Sequence, residues 1–188
     1  MEELNGTPKF EIIKIGLSEI VQLRSISIET FVETFKETNT QNNLQQFLNE
    51  AYSQDQLKSE LENPNSEFYF AKFGNEIMGY LKINHGDAQK ESIGDSALEL
   101  ERIYILNLFQ GKKIGQILLD YTIEIAKKKN IDWVWLGVWE HNQRAINFYL
   151  KNGFVQFDQH IFTVGDDDQT DILMKLEVDK TKSYFTPF

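Results

Sequence analysis

The chain has 188 residues and a formal net charge of −10, from 29 acidic against 19 basic side chains. This length suits one globular domain, and an acidic chain lacks the clustered Lys and Arg that nucleic-acid binding requires. The sequence contains no cysteine, which excludes disulfides and a cysteine thioester intermediate. No apolar run approaches the ~20 residues that cross a bilayer, and no secretory signal is recognisable. We therefore expect one cytoplasmic domain without nucleic-acid or membrane partners.

Hydrophobic periodicity predicts the elements in chain order. The predicted strands are 9–15, 67–73, 76–84, 97–105, 132–139, 154–164 and 171–178, and the predicted helices are 17–35, 44–61, 114–128 and 142–151. Gly74-Asn75 and the segment 165–169 are typical of hairpin turns. The order β-α-α-β-β-β-α-β-α-β-β predicts a single three-layer α/β domain around a mixed sheet over 1–178, followed by a tail over 179–188.

A short basic turn, Gln110-Gly-Lys-Lys-Ile-Gly115, joins a predicted strand to a predicted helix. The free N–H groups at the start of a helix attract anions, and Lys112 and Lys113 add positive charge. The turn matches neither the P-loop nor the Rossmann pattern. It is a candidate phosphate site, and a turn with only a structural role is the alternative.

Two segments resemble signatures of the GNAT N-acetyltransferase superfamily. The Gln110-x-x-Lys113-Ile114-Gly115 turn is similar to [Arg/Gln]-x-x-Gly-x-[Gly/Ala], and 142–154 (NQRAINFYLKNGF) is similar to N-x-x-A-x-x-F-Y-x-K-x-G-F. Lys113 stands where the first signature glycine is usual, which leaves the shape of the turn open. Four further segments look like the bacterial PaiA-type spermidine/spermine acetyltransferases: 27–31, 98–105, 135–140 and 165–171.

The resemblance implies the GNAT fold, with a seven-stranded, mostly antiparallel sheet and helices on both faces. It implies direct acetyl transfer from acetyl-CoA to a primary amine, here spermidine or spermine, without a metal, in a monomer or homodimer. Two alternatives stay open. One is a GNAT enzyme acting on a peptide amine or an amino-sugar, and the other is a non-catalytic acetyl-CoA sensor.

The resemblance also assigns the coenzyme contacts by position. Backbone groups of 103–105 would bind the pantetheine, the amides of 111–116 would hold the pyrophosphate, and the helix 142–151 would supply polar contacts. Asn142 could equally be a helix cap. The full set of expected coenzyme contacts is Ile103, Tyr104, Ile105, Gln110, Gly111, Lys112, Lys113, Ile114, Gly115, Gln116, Asn142, Asn147, Tyr149 and Lys151.

Three residues are expected to be catalytic. Tyr149 stands where GNAT enzymes place a tyrosine at the coenzyme sulfur, and a protonated phenol can donate to a thiolate. Its alternative role is a core pair with Phe148. Glu99 and Glu101 lie two apart on a strand and share a face, so they could bind a polyamine cation and relay its proton through water. Pairing with Arg102 or a lysine, or solvation, is the alternative.

Weaker acidic candidates for the acceptor site are Glu29, Glu33, Asp87 and Glu140, and His141 is a candidate base beside the last of these. The histidines, at 85, 141 and 160, lack the spacing of a metal site. The sequence therefore predicts no metal.

Overall fold

The computed structural model describes residues 9–91, 93–94, 96–164 and 167–184. These ranges contain seven strands and five α-helices. The strands are β1 Phe10–Ile15, β2 Ser66–Phe73, β3 Glu76–His85, β4 Ala97–Ile105, β5 Trp133–Trp139, β6 Val155–Val164 and β7 Asp167–Glu177. They form one sheet in the order β1-β2-β3-β4-β5-β7-β6. Among the strands of the described residues, β4 and β5 form the only parallel pair. The predicted mixed, mostly antiparallel sheet is confirmed.

Helices cover both faces of the sheet, as expected. They are α1 Ile20–Phe35, α2 Gln41–Ala51, α3 Gln54–Glu62, α4 Ile114–Lys128 and α5 Gln143–Lys151. Buried side chains of α1, α2 and α3 pack with one face of β2 and β3, while those of α4 and α5 pack on the opposite face. None of the helices in the described ranges is both long enough and apolar enough to cross a bilayer.

The prediction of one helix over 44–61 was wrong, because the chain breaks there into α2 and α3. Ser53 accepts a hydrogen bond from the backbone N–H of Gln56 at 3.1 Å and caps the start of α3. Tyr52, at the break, is 2% exposed. A Ser followed three residues later by Gln is a helix-start pattern, so the sequence contained a signal for this break.

The last hairpin also differs from its prediction. β7 begins at Asp167 rather than at residue 171, so the connection is shorter than the predicted turn. Gly165 and Asp166 lie outside the described residues. The register places His160 of β6 opposite Asp171 of β7, and Asp171 opposite Trp139 of β5.

β4 and β5 pair over only three residues and then diverge. Their pairs are Ala97 with Trp133, Leu98 with Val134 and Glu99 with Trp135. Beyond these, β4 continues alongside β3 and β5 continues alongside β7. An opening therefore lies between the carboxyl-terminal halves of the two central strands.

Gly79 of β3 lets β4 approach closely beside this opening. A Cβ atom at this position would overlap the carbonyl oxygen of Tyr104 and the side chain of Ile105. Both residues belong to the half of β4 that borders the opening, so a side chain at 79 would displace that half of the strand.

We expect Gly79→Ala to lower the free energy of unfolding by about 1–3 kcal/mol, because the added methyl overpacks the β3–β4 contact. Urea denaturation of both proteins measures this difference. Gly16→Ala is the matched control, since a Cβ atom there meets nothing within 4 Å. Equal unfolding free energies for Gly79→Ala and the wild type would contradict the close approach.

Candidate active site

A groove of about 620 Å³ runs from the amino end of α4 to the opening between β4 and β5. We call it the α4 groove. The predicted coenzyme contacts that line it are Ile103, Tyr104, Ile105, Gln110, Gly111, Lys113, Ile114, Gly115, Gln116, Asn142 and Tyr149. The fold thus brings together, on one surface, residues from β4, the basic turn, α4 and α5.

Residues of the basic turn line this groove. Gly111 and Lys113 both have positive φ, 78° and 64°, so Lys113 adopts the left-handed conformation that glycine takes more easily, at a cost of roughly 1–2 kcal/mol. The first helical hydrogen bond of α4 runs from Ile117 N to the Lys113 carbonyl at 3.1 Å. The backbone amides of Ile114, Gly115 and Gln116 come before this first helical hydrogen bond. They can therefore bind an anion, which the helix dipole also favours. Lys113 therefore forms this turn although the family signature has a glycine at its position.

Three of the expected coenzyme contacts lie outside the α4 groove lining. Lys112 places its ammonium 4.8 Å from the ring centroid of Phe109. Asn147 is exposed and accepts a hydrogen bond from the Gln143 side chain. Lys151 is exposed in the last turn of α5.

One lining residue was missed. Arg144, in the first turn of α5, lines the α4 groove and donates a hydrogen bond to Gln110 Oε1. A basic residue two positions after Asn142 was the only sequence signal for it. Asn142 itself caps α5, because its side chain accepts from the Ala145 backbone N–H at 3.1 Å.

A second space, the aromatic cavity, has a volume of about 390 Å³ and lies on the α1–α3 side of the opening. Its walls combine aromatic rings with charged side chains. The rings belong to Phe31, Phe35, Phe47, Tyr52 and Trp139, and the charged groups to Glu60, Lys90, Glu101, Arg102 and Asp171. Ile103, Tyr104, Asn142, Ala145 and Tyr149 line both spaces. The aromatic cavity and the α4 groove therefore meet where β4 and β5 diverge.

Tyr149 stands at this junction. Its side chain is 6% exposed, and its ring lies 5.3 Å from that of Phe148 and 5.5 Å from that of Phe154. Burial raises the pKa of the Tyr149 phenol above its usual range, and its hydroxyl makes no hydrogen bond to another described residue. The phenol is protonated at neutral pH and available to donate a proton.

Glu101 is buried among three cations. Its carboxylate lies 2.5 Å from Lys82 Nζ, 3.2 Å from an Arg102 nitrogen and 3.4 Å from Lys90 Nζ. Burial alone would raise the pKa of Glu101, but attraction to the cations outweighs it and holds the pKa well below its usual range. Glu101 thus makes the pairing with Arg102 and lysines that the sequence offered as one alternative.

Glu99 and Glu101 share a face, as predicted, and both accept hydrogen bonds from the Asn84 amide, at 2.9 and 2.6 Å. Glu99 also accepts from the Lys90 backbone N–H at 3.1 Å. Burial, reinforced by repulsion from Glu101, raises the pKa of Glu99. Glu99 does not line the aromatic cavity, and the Asn84 amide connects it to Glu101, which does.

The weaker candidates are dispersed. Glu33 lines the α4 groove and accepts from the Asn107 N–H at 2.9 Å, whereas Asp87 accepts from the Asn65 side chain at 2.5 Å. Glu29 borders a separate surface pocket near the start of α1. Glu140 and His141 are exposed after β5. Within the described ranges, no group of His, Cys, Asp and Glu side chains has the arrangement of a metal site.

Known proteins resemble this chain over most of its length. The model of the Acetyltransferase (GNAT) family matches residues 22–154. An uncharacterized N-acetyltransferase in the pepI 3' region of Lactobacillus delbrueckii subsp. lactis is 39% identical over 88% of this chain and 95% of its own length. The spermidine N(1)-acetyltransferase of Thermoplasma acidophilum is 27% identical over 88% of this chain and 95% of its own. The PaiA N-acetyltransferase of T. acidophilum, solved with coenzyme A, superposes with a TM-score of 0.73 at 25% identity, over 90% of this chain and 99% of that one.

We expect Glu101→Gln to lower the free energy of unfolding at pH 7 by about 3 kcal/mol, because it leaves the cations around it undercompensated in a buried position. Because the folded pKa of Glu101 is depressed, its ionised carboxylate stabilises the fold in full above the ordinary pKa of 4.5, and this stabilisation is lost progressively as the pH falls from there toward the folded pKa. The difference between variant and wild type should therefore shrink in urea denaturation at pH 3.5. Glu99→Gln is the control, with an expected change under about 1 kcal/mol. An unfolding difference for Glu101→Gln that does not depend on pH would count against the ion cluster.

Proposed function

The chain belongs to the Acetyltransferase (GNAT) family, and we propose that it transfers the acetyl group of acetyl-CoA to a primary amine, with spermidine or spermine as the acceptor. The observation that carries this proposal is the junction of the α4 groove with the aromatic cavity at Tyr149. Donor and acceptor can enter from opposite sides and react directly, without a covalent enzyme intermediate.

The donor fits the α4 groove. The coenzyme pyrophosphate would take hydrogen bonds from the amides at the start of α4, with positive charge from Lys113 and Arg144. Pantetheine would bind the edge of β4 from Ile103 to Ile105, in the manner of an added strand. Lys112, Asn147 and Lys151 do not line the groove, so we limit the proposed contacts to the residues that do. The PaiA structure with coenzyme A supports this choice of donor.

The acetyl group would lie at the junction. A backbone N–H of β4 would polarise the thioester carbonyl as it becomes an oxyanion, a type of contact worth roughly 2.7–4 kcal/mol. The amine attacks the carbonyl carbon, the carbon–sulfur bond breaks, and Tyr149 donates its proton to the leaving thiolate. The phenolate then recovers a proton from the acetylated nitrogen.

The acceptor fits the aromatic cavity. Its rings can contact ammonium groups through cation–π interactions, and Glu60, Glu101 and Asp171 supply negative charge. We propose that the ionised Glu101 and Asp171 together attract an ammonium group to this cavity, and that Glu99 helps to hold the Glu101 carboxylate in place through Asn84. The relation to a spermidine N(1)-acetyltransferase supports a polyamine.

Acetyl-CoA should raise the melting temperature, since a ligand at a hundred times its Kd stabilises the native state by about 2.7 kcal/mol. NAD should not. Gly115→Glu should abolish the shift at an unchanged basal melting temperature, because a Cβ atom at 115 meets nothing within 4 Å and the new carboxylate repels the pyrophosphate. Scanning fluorimetry with and without ligand measures both effects. An unchanged shift in Gly115→Glu would remove the pyrophosphate from the start of α4.

Tyr149→Phe should lower kcat by roughly 10²-fold or more with little change in acetyl-CoA affinity, because only a proton donor for the leaving thiolate is lost. Free-CoA release with spermidine, spermine, putrescine, an amino-sugar and a short peptide measures turnover. Phe148→Leu is the control, because neither phenylalanine nor leucine can donate a proton.

Turnover with polyamines and not with the other amines is the expected result for the wild type. Turnover with only an uncharged or peptide amine would overturn the acceptor and keep the acetyltransferase. Equal kcat in Tyr149→Phe and wild type would take Tyr149 out of the mechanism.

A further inference from the structure

Asp171 of β7 is the carboxylate of the aromatic cavity that lies on the β5 side of the opening. It is opposite Trp139 in the β5–β7 register, and its Oδ2 lies over Gly137, 3.2 Å from where a Cβ atom of that residue would be. A side chain at 137 would crowd this carboxylate, so the glycine gives it room. The other cavity carboxylates, Glu60 and Glu101, are both held by Lys82 and Arg102. Among the described residues, Asp171 instead forms its ion pair with a histidine.

That histidine links the cavity to the surface. His160 Nε2 lies 3.9 Å from Asp171 Oδ2, and His160 Nδ1 lies 3.2 Å from Glu91 Oε1. Nδ1 is buried, and its approach to Glu91 lacks the alignment of a hydrogen bond. The exposed fraction of the side chains increases from 18% at Asp171 to 25% at His160 and 43% at Glu91. The three groups therefore form a line from the cavity to solvent.

We propose that Asp171 is the base that accepts the proton of the acceptor ammonium, and that His160 and Glu91 conduct this proton to solvent. The inference rests on the proposed function, because it concerns the same cavity and the same amine. An imidazole between two carboxylates can take a proton on one nitrogen and release one from the other. The 3.9 Å distance between His160 Nε2 and Asp171 Oδ2 exceeds the upper limit of a hydrogen bond by about 0.7 Å. Catalytic contacts of this kind commonly tighten when substrate binds.

The proton balance needs this exit. An ammonium that becomes an amide loses two protons. The first passes to Asp171 before attack, then to His160 Nε2, while the proton on Nδ1 leaves through Glu91. The second stays on the nitrogen until the carbon–sulfur bond has broken, and replaces the proton that Tyr149 gave to the sulfur. The thioester carbonyl is neither oxidised nor reduced, and CoA leaves as the thiol.

The surroundings of Asp171 suit a base of moderate strength. Burial raises its pKa, and attraction to His160 from β6 and to Lys90 from the β3–β4 connection opposes this rise. The cavity also contains the Tyr104 and Tyr149 phenols, together with Glu101 and Arg102 of β4 and Glu60 of α3. The two glutamates are paired with Arg102 and with Lys82 of β3. Glu101 has the opposite shift and is therefore the weaker base.

The test compares Asp171→Asn, His160→Ala and Glu91→Gln with the wild type, in spermidine turnover across pH at low buffer concentration. Asp171→Asn should lower kcat/KM by roughly 10²-fold and remove the acid limb of the pH profile, while the melting shift with acetyl-CoA persists. His160→Ala should turn over slowly at low buffer concentration and regain activity with added imidazole. Glu91→Gln should also turn over more slowly than the wild type and regain activity with added imidazole. His85→Ala is the matched control, with unchanged rate and no imidazole response.

Wild-type rates and pH profiles in both Asp171→Asn and His160→Ala would overturn the proton path and leave the acetyltransferase proposal standing. A slow His160→Ala that imidazole does not restore would reduce His160 to a structural role and overturn the path as well. If Asp171→Asn does not fold, the imidazole response of His160→Ala decides whether the proposed proton path stands. A wild type that acetylates no amine in the panel would instead mean that the proposed function has failed.

Discussion

The divergence of β4 and β5 after three residue pairs is the constraint on which the rest of the structure depends. A strand edge in the middle of a sheet exposes backbone N–H and C=O groups whose hydrogen bonds a neighbouring strand would otherwise supply. Here the edge of β4 from residue 100 to 105 adjoins two spaces rather than β5. The opening therefore exposes backbone groups of β4 that β5 does not pair, at the point where the groove, the cavity and Tyr149 meet.

A buried ion cluster holds β4 in this position. Arg102 makes a two-point hydrogen bond to Glu60, at 2.9 and 2.9 Å, which joins β4 to α3, and Lys82 joins β3 to Glu101. The β3–β4 register shifts between Lys82 and Ile83, where β4 contains one extra residue. This bulge turns the side chains of both Glu101 and Arg102 toward the α1–α3 face. Burying these charges costs desolvation energy that their attraction offsets only when every partner is present. The cluster thus gives the wall of the cavity a fixed shape more than it gives the fold net stability.

Long periodic elements were predictable, because local propensity and burial agree in them. The bounds of β4 and α4 match their predictions, and the motif from Asn142 to Phe154 identified the family. The break at Ser53 and the early start of β7 were missed, since a single cap or a hairpin register outweighs periodicity there. Pairing of Glu101 was left open by the sequence, because only the tertiary fold brings Lys82 and Lys90 to it.

Asp171 shows why the site could be predicted only in part. Its place in the cavity follows from the β5–β7 register and from a glycine in another strand, and its link to His160 follows from the β6–β7 register. None of these relations has a fixed spacing along the chain. A carboxylate that several cations hold ionised is a poor proton acceptor, since protonation would leave those cations uncompensated. The pKa values of Glu101 and Asp171 are shifted in opposite directions within one cavity, so their neighbours, rather than their residue type, decide which carboxylate is better suited to accept a proton.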